Sequence, residues 1–332
     1  MKTGKGEPMP KYWMITNRNV KTNGFGDDLA PMTYWSSDKG HLDNFKNWKK
    51  ETDEGFKLKL IGVADKFPFK VADRHEEQKH VCIFIHGFDN DWQDAARRYE
   101  SLNAKLFEGE QGMGICVLFN WPSNGSVIGY YPDRIDARKS AQDLSEVLNA
   151  LYDWLQKKQI DTMKEKDPTK SCRAKTSVIA HSMGNYVLQN AMQYTWTRKN
   201  QPLLVSLINQ LLMVAADVDN DLFKCGEETD KSDGDAIANL TYRVTALYTG
   251  LDTVLGMSAG FKHFGKRRLG RSGLDRSYPI PDNVWDIDCT SFLKKASNVH
   301  SAYFENPDTL NLMRNILRGV DRKVITHDLP QI

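Results

Sequence analysis

The decapeptide Thr176-Ser-Val-Ile-Ala-His-Ser-Met-Gly-Asn185 decides how this chain reads. A short apolar, β-prone run ends in a small residue. A serine follows, and a glycine stands two places beyond it. That order describes a strand, a sharp turn and a helix, with the Ser182 hydroxyl lifted clear of the turn. Small residues are needed where backbone passes close to backbone, and Ala180 and Gly184 supply them. The pentapeptide alone also fits a buried serine in an ordinary strand-to-helix loop, so the flanking sequence carries the decision.

On both sides the chain alternates. Val81–His86 is a continuous apolar run of strand length, and Asp91–Phe107 reads as a helix with Asp89, Asn90 and Asp91 available to cap it. Ile115–Asn120 is a second strand. Arg134–Lys157 is a long helix with apolar residues recurring at three- and four-residue steps: Ile135, Ala141, Leu144, Val147, Leu148, Leu151, Trp154 and Leu155. Further strands are expected at Thr176–Ala180, within Leu207–Ala216, at Arg243–Thr249 and at Val284–Asp288. A helix follows the serine to about Thr197, and Asn306-Pro307 opens the last one. Strands that are apolar throughout and separated by helices indicate a doubly wound, mostly parallel sheet covered on both faces, an α/β fold. The first 80 residues differ. Tyr12–Thr16 fits a strand and Asn23–Lys57 has no clear assignment, so early antiparallel edge strands are expected there. Neither an internal repeat nor a linker is visible, and residues 1–332 read as one domain with its core in 81–320 and no large separate lid.

Bulk properties exclude little. The chain has 332 residues and a formal net charge of +2, which points to no nucleic-acid partner. A local basic cluster (Lys262, Lys266, Arg267, Arg268, Arg271) is glycine-rich and reads as a solvated loop. The five cysteines form no Cys-x-x-Cys pair, and reduced thiols in a cytoplasm fit better than a disulfide framework. No secretory signal or membrane span is expected. The sequence calls for no metal and no cofactor, and it leaves the oligomeric state open.

A serine hydroxyl needs a base, usually a histidine oriented by a carboxylate. On sheets with such an elbow the partners follow in the order serine, acid, histidine. Asp252 follows the Arg243–Thr249 strand in a Gly-Leu-Asp turn, where it also fits a helix cap. Asp217 and Asp219, after the preceding strand, are rival acids. His300, after the last strand and before the last helix, is the candidate base. A developing oxyanion needs two backbone N–H donors. Met183, next to the serine, and Phe88, after His86-Gly87, are placed to give them. Trp121, Tyr130 and Tyr131 follow a strand at the same edge and, with Gly87, are candidates to line a substrate pocket.

These segments resemble the α/β-hydrolase superfamily. More narrowly, the chain looks like the bacterial family catalogued as domain of unknown function nine hundred. The likeness lies in Met14-Ile-Thr-Asn-Arg, Phe84-Ile-His-Gly-Phe-Asp-Asn, Asn120-Trp-Pro-Ser-Asn-Gly-Ser, Ala180-His-Ser-Met-Gly-Asn, Ala216-Asp-Val-Asp, Tyr248-Thr-Gly-Leu-Asp and Val299-His-Ser-Ala-Tyr. Ala180 stands where the superfamily usually has glycine, and Asn185 where a second glycine is common. The resemblance implies a Ser182–His300–Asp252 triad but no substrate. The expected function is hydrolysis of a small-molecule carboxylic ester through an acyl-enzyme. Thioesterase, lactone-hydrolase and lipase chemistries use the same triad, and a non-catalytic module on this fold is the alternative from another class.

Overall fold

A computed structural model describes residues 10–68, 79–88, 90–123, 130–166, 172–199, 206–225, 234–262 and 265–327. Among the described residues, nine strands form one sheet: β1 Tyr12–Lys21, β2 Gly24–Ser37, β3 Lys49–Glu51, β4 His80–Ile85, β5 Gly114–Asn120, β6 Lys175–His181, β7 Ile208–Val214, β8 Thr241–Tyr248 and β9 Val284–Asp288. Their spatial order is β3-β2-β1-β5-β4-β6-β7-β8-β9. From β1 to β9 every neighbouring pair is parallel, whereas β2 runs antiparallel to both β1 and β3. This is the α/β-hydrolase fold expected from the sequence.

The helices divide between the two faces because side chains alternate along each strand. Ile83 and Val117 point to one face, where they join Phe56 of α1 (Asp53–Ala64), Leu144 of α3 (Tyr130–Glu165), Val187 of α4 (Gly184–Lys199) and Ile237 of α5 (Asp235–Leu240). Cys82, Phe84, Cys116 and Leu118 point to the other, against Tyr99 and Leu102 of α2 (Trp92–Leu106). The last helix but one, Pro307–Arg318, adds Leu312 and Met313 to that face. All five cysteines are free thiols.

The N-terminal region corrects one boundary. Asn23–Lys57, unassigned from sequence, holds β2, β3 and the start of α1. Its β2 spans 14 residues, several of them exposed or half-exposed, so it lacks the continuous apolar signature of the central strands. The long helix also runs further than expected, over 36 residues. Because β4 to β9 are parallel, the loops after them gather at one sheet edge. That edge receives Gly87, Trp121, Ser182, Asp217, Asp252 and His300.

Candidate active site

Ser182 sits at the end of β6 with φ +51°, the left-handed region that serine rarely occupies. The strain is held from both sides. Ser182 N donates to Val214 O at 3.0 Å, and Ser182 O accepts from Asp217 N at 3.1 Å. Asn185 Nδ2 donates to Ala180 O at 2.9 Å and to Ser182 O at 3.1 Å, stapling the turn across its base. A side chain at Gly184 would place its Cβ 2.5 Å from His86 O, and one at Gly87 would lie 2.7 Å from Ser182 Cβ. Both positions therefore need glycine for the β4 loop and the serine turn to touch.

The three side chains singled out from sequence come together. His300 Nε2 lies 3.0 Å from Ser182 Oγ, and His300 Nδ1 lies 2.7 Å from Asp252 Oδ2. Asp252 is fully buried, and the His300 side chain retains 11% exposure. Asp252 is also a helix cap: its Oδ1 accepts from Leu255 N at 2.9 Å and opens α6 (Thr253–Met257). The two readings of that aspartate hold at once, with one oxygen for each. A carboxylate must accept, so Nδ1 of His300 carries the proton and Nε2 is free to accept from the serine. Arg271, in the short helix α7 (Leu269–Ser272), donates to the Asp252 carbonyl.

The rival acids are otherwise engaged. Asp217 Oδ1 accepts from Arg268 Nε at 2.8 Å and from Ser258 Oγ at 3.0 Å, and Arg268 also bonds to Asp219. Arg268 is fully buried and Arg271 half-buried, which corrects the reading of the basic cluster as a solvated loop; Lys266 and Arg267 are exposed, and the side chain of Lys262 lies outside the described residues. Two carboxylates, some fifty residues upstream of Arg268, supply the counter-charge that composition does not reveal.

A layer behind Ser182, His300 and Asp252 was not legible in the sequence. His181 Nδ1 lies 3.1 Å from Arg98, an obligate donor, so Nε2–H of His181 donates to the His300 carbonyl at 3.0 Å. Arg98 also donates to Ser301 Oγ at 3.1 Å. Burial and the Arg98 charge push the His181 pKa well down, which keeps the ring neutral and its tautomer fixed. Burial likewise lowers His86 to about 3. His86 Nδ1–H donates to Gly87 O at 2.9 Å, and its ring stacks on Trp121 with centroids 5.3 Å apart. Trp121 is fully buried and donates to His86 O at 2.9 Å, so its contacts are those of a packing residue. Asn90 Nδ2 donates to the carbonyls of Gly87, at 3.1 Å, and Phe88, at 2.7 Å. Fully buried Arg18 ties the same region together through Asn90 O and Asn120 Oδ1, each at 2.9 Å, and Asp27 Oδ1 at 2.8 Å; burial lowers its pKa to about 10. The side chains of Tyr130 and Tyr131 lie outside the described residues.

An apolar cavity of about 230 Å³ lies elsewhere, between α1, α3 and the sheet, and none of the residues discussed at this edge lines it. Among the described residues, no group of three or more His, Cys, Asp or Glu is placed to hold a metal ion, and no helix is long and apolar enough to cross a membrane.

Residues 65–314 match a family model described as an alpha/beta hydrolase of unknown function, DUF900. An uncharacterized protein of Nostoc sp. is 22% identical over 320 residues, covering 78% of this chain and 79% of that protein. Among solved structures, lipase B of Aspergillus fumigatus is similar with TM-score 0.39 and 10% identity, over 80% of this chain; the match spans 60% of the lipase's length. A hyperthermophilic esterase from Pyrobaculum calidifontis is similar with TM-score 0.35 and 9% identity, over 73% of this chain and 77% of the esterase.

Proposed function

We propose a serine-esterase chemistry for this chain, which belongs to the alpha/beta hydrolase family of unknown function, DUF900. The observation that carries the reading is the unbroken chain Ser182 Oγ, His300 imidazole, Asp252 carboxylate, with links of 3.0 and 2.7 Å behind a serine in left-handed backbone. The substrate is a small-molecule carboxylic ester.

Ser182 Oγ attacks the ester carbonyl carbon as His300 Nε2 takes its proton. Asp252 keeps the imidazole in the productive tautomer and stabilises the imidazolium that forms. The imidazolium then protonates the departing alcohol oxygen, the C–O bond to it breaks, and the acyl group stays on Ser182. A water molecule, deprotonated by His300, repeats the attack and frees the acid.

The oxyanion falls to the amides of Phe88 and Met183. Two observations support this assignment. The Gly87 carbonyl is held by His86 and Asn90, and in a planar trans peptide the Phe88 N–H points opposite to it. Met183 directly precedes α4, where the opening amides of a helix lack partners within the helix. Such a donor contributes about 2.7–4 kcal/mol to the transition state.

Ser182→Ala tests the reading. Hydrolysis of p-nitrophenyl esters of graded acyl length is expected to fall on the order of 10³-fold or more, with an unchanged circular dichroism spectrum. A fluorophosphonate probe should label the parent protein and not the variant. Undiminished ester turnover in Ser182→Ala would refute the mechanism.

A further inference from the structure

We infer that the rim of the active site is a docking surface for an anionic lipid–water interface. The segment that supplies the buried acid also carries Leu251, Val254 and Met257, which are 41%, 40% and 56% exposed. Three large apolar side chains within seven residues form a patch that water does not favour. Their exposure has a local cause. Leu251 stands just before the cap residue Asp252, where an apolar side chain usually folds onto the fourth helical residue. That residue here is Gly256, which offers no side chain. The Arg271 guanidinium fills the space instead: a Cβ on Gly256 would lie 2.7 Å from Arg271 Nη1. Val254 and Met257 are neighbours three positions apart on α6, while Leu255 between them turns into the core.

Charge frames this patch. From Gly250 to Leu274 the acidic residue is Asp252, and it is buried, while Lys266 and Arg267 are exposed. Lys266 is 65% exposed although it pairs with Asp219 at 3.3 Å. On the other flank, Thr249 Oγ1 and Thr290 Oγ1 lie 2.9 Å apart, joining the Leu251 turn to the helix α8 (Thr290–Leu293). Lys294 and Lys295 follow α8, both exposed, and no acidic residue occurs between Thr290 and His300. A chain with a net charge of only +2 thus carries exposed bases and exposed aliphatic tips together on the two segments that deliver Asp252 and His300. An anionic headgroup layer pairs with the bases and its acyl boundary takes the apolar tips. A nucleic acid would use the charges and leave Leu251, Val254 and Met257 in water.

The inference deepens the esterase reading, taking from it the location of the reacting serine, and it makes the ester one presented at a lipid surface. Its test separates the two. Ser182→Ala protein is sedimented with vesicles of phosphatidylcholine alone and with vesicles in which one lipid in three is phosphatidylglycerol. Binding to the anionic vesicles is expected at least about tenfold stronger and weakened by salt. Val254→Glu/Met257→Glu should abolish it. Lys294→Gln/Lys295→Gln should weaken it by roughly fivefold per lysine removed. In the Ser182 background both pairs should keep turnover of a soluble short-chain ester within about twofold, since surface changes of this kind leave folding nearly untouched. Equal affinity for the two vesicle types, or anionic binding that survives both double substitutions, overturns the inference. Anionic binding without any ester turnover would leave the docking surface standing and remove the esterase.

Discussion

Asp217 follows β7 and Asp252 follows β8, so the two carboxylates leave neighbouring strands at the same edge. Both are buried, at 2% and 0% exposure, and each meets a nitrogen-bearing side chain closely. Asp217 faces Arg268 at 2.8 Å, and Asp252 faces His300 at 2.7 Å. The guanidinium never loses its charge, so it fixes Asp217 in a permanent pair. An imidazole can accept and return a proton through its second nitrogen, which is the role the proposed mechanism gives the partner of Asp252. Strand order alone allows either acid. Their partners separate them: one carboxylate is tied to a buried guanidinium beside the serine turn, and the other, in the proposed mechanism, orients the base.

The largest effects come from exchanging each carboxylate for its amide. Asp252→Asn should reduce kcat by about 10⁴, because an amide can hold the wrong imidazole tautomer, with little change in stability. Asp217→Asn should instead leave buried Arg268 with Asp219 alone of its two carboxylate partners, a loss of up to roughly 3–5 kcal/mol. Paired ester assays and urea titrations read both. Loss of turnover in folded Asp217→Asn, with Asp252→Asn active, would reverse the roles.

The structural half of the contrast sharpens with Arg268. Arg268→Met takes the guanidinium away from the buried Asp217 carboxylate, which keeps its Ser258 hydrogen bond, and should cost up to about 3–5 kcal/mol, whereas Asp217→Asn/Arg268→Met removes both charges and should recover a large part of that. A double variant as unstable as the sum of the singles would show that the pair is not coupled.

The catalytic half rests on how His300 is held. His181→Phe removes the donor to the His300 carbonyl and should lower kcat on the order of tenfold to a hundredfold at unchanged KM, as small misplacement of a reacting group does. His181→Gln, which keeps an N–H donor, should restore part of the rate. A change confined to KM would assign His181 to substrate binding.

These contrasts also mark what sequence could convey. The parallel core was legible because strands covered on both faces read as unbroken apolar runs, as in Val81–Ile85 and Val178–Ala180. The antiparallel strand β2 was not, since the eight residues in its middle are exposed or half-exposed and its start includes two glycines. At the site, the order of Ser182, Asp252 and His300 along the chain mirrored their order along the sheet edge. The choice between Asp252 and Asp217 was not readable, because it depends on Arg268 lying 51 positions from Asp217 and on its burial. Arg98 gave no signal either. It lies in a helix beside the exposed Arg97, and nothing in the spacing says which arginine turns inward. Asn185 was visible as a departure from the usual glycine, and its amide staples the serine turn.

The smallest effect isolates what an imidazole does when no carboxylate meets it. His80 lies at the opposite end of β4 from Gly87, with Nδ1 3.2 Å from Ser177 Oγ. Burial, reinforced by the charge of Lys175, lowers its pKa to about 3. An unfolded histidine titrates near 6.5, so below that pH the unfolded chain binds a proton that the native state refuses. The stability linked to His80 is therefore complete above about pH 6.5 and declines as pH falls toward 3, at up to about 1.4 kcal/mol per pH unit. His86 and His181 are lowered in the same direction and add to the slope. His80→Gln cannot take up that proton. Its unfolding free energy, measured by urea titration at pH 7 and pH 5, should fall less on acidification than that of the parent protein, by about 2 kcal/mol at most. Its kcat at pH 7 should be unchanged. An equal acid loss in both proteins would mean that His80 is already protonated in the folded state, and that burial without a carboxylate does not keep an imidazole neutral here.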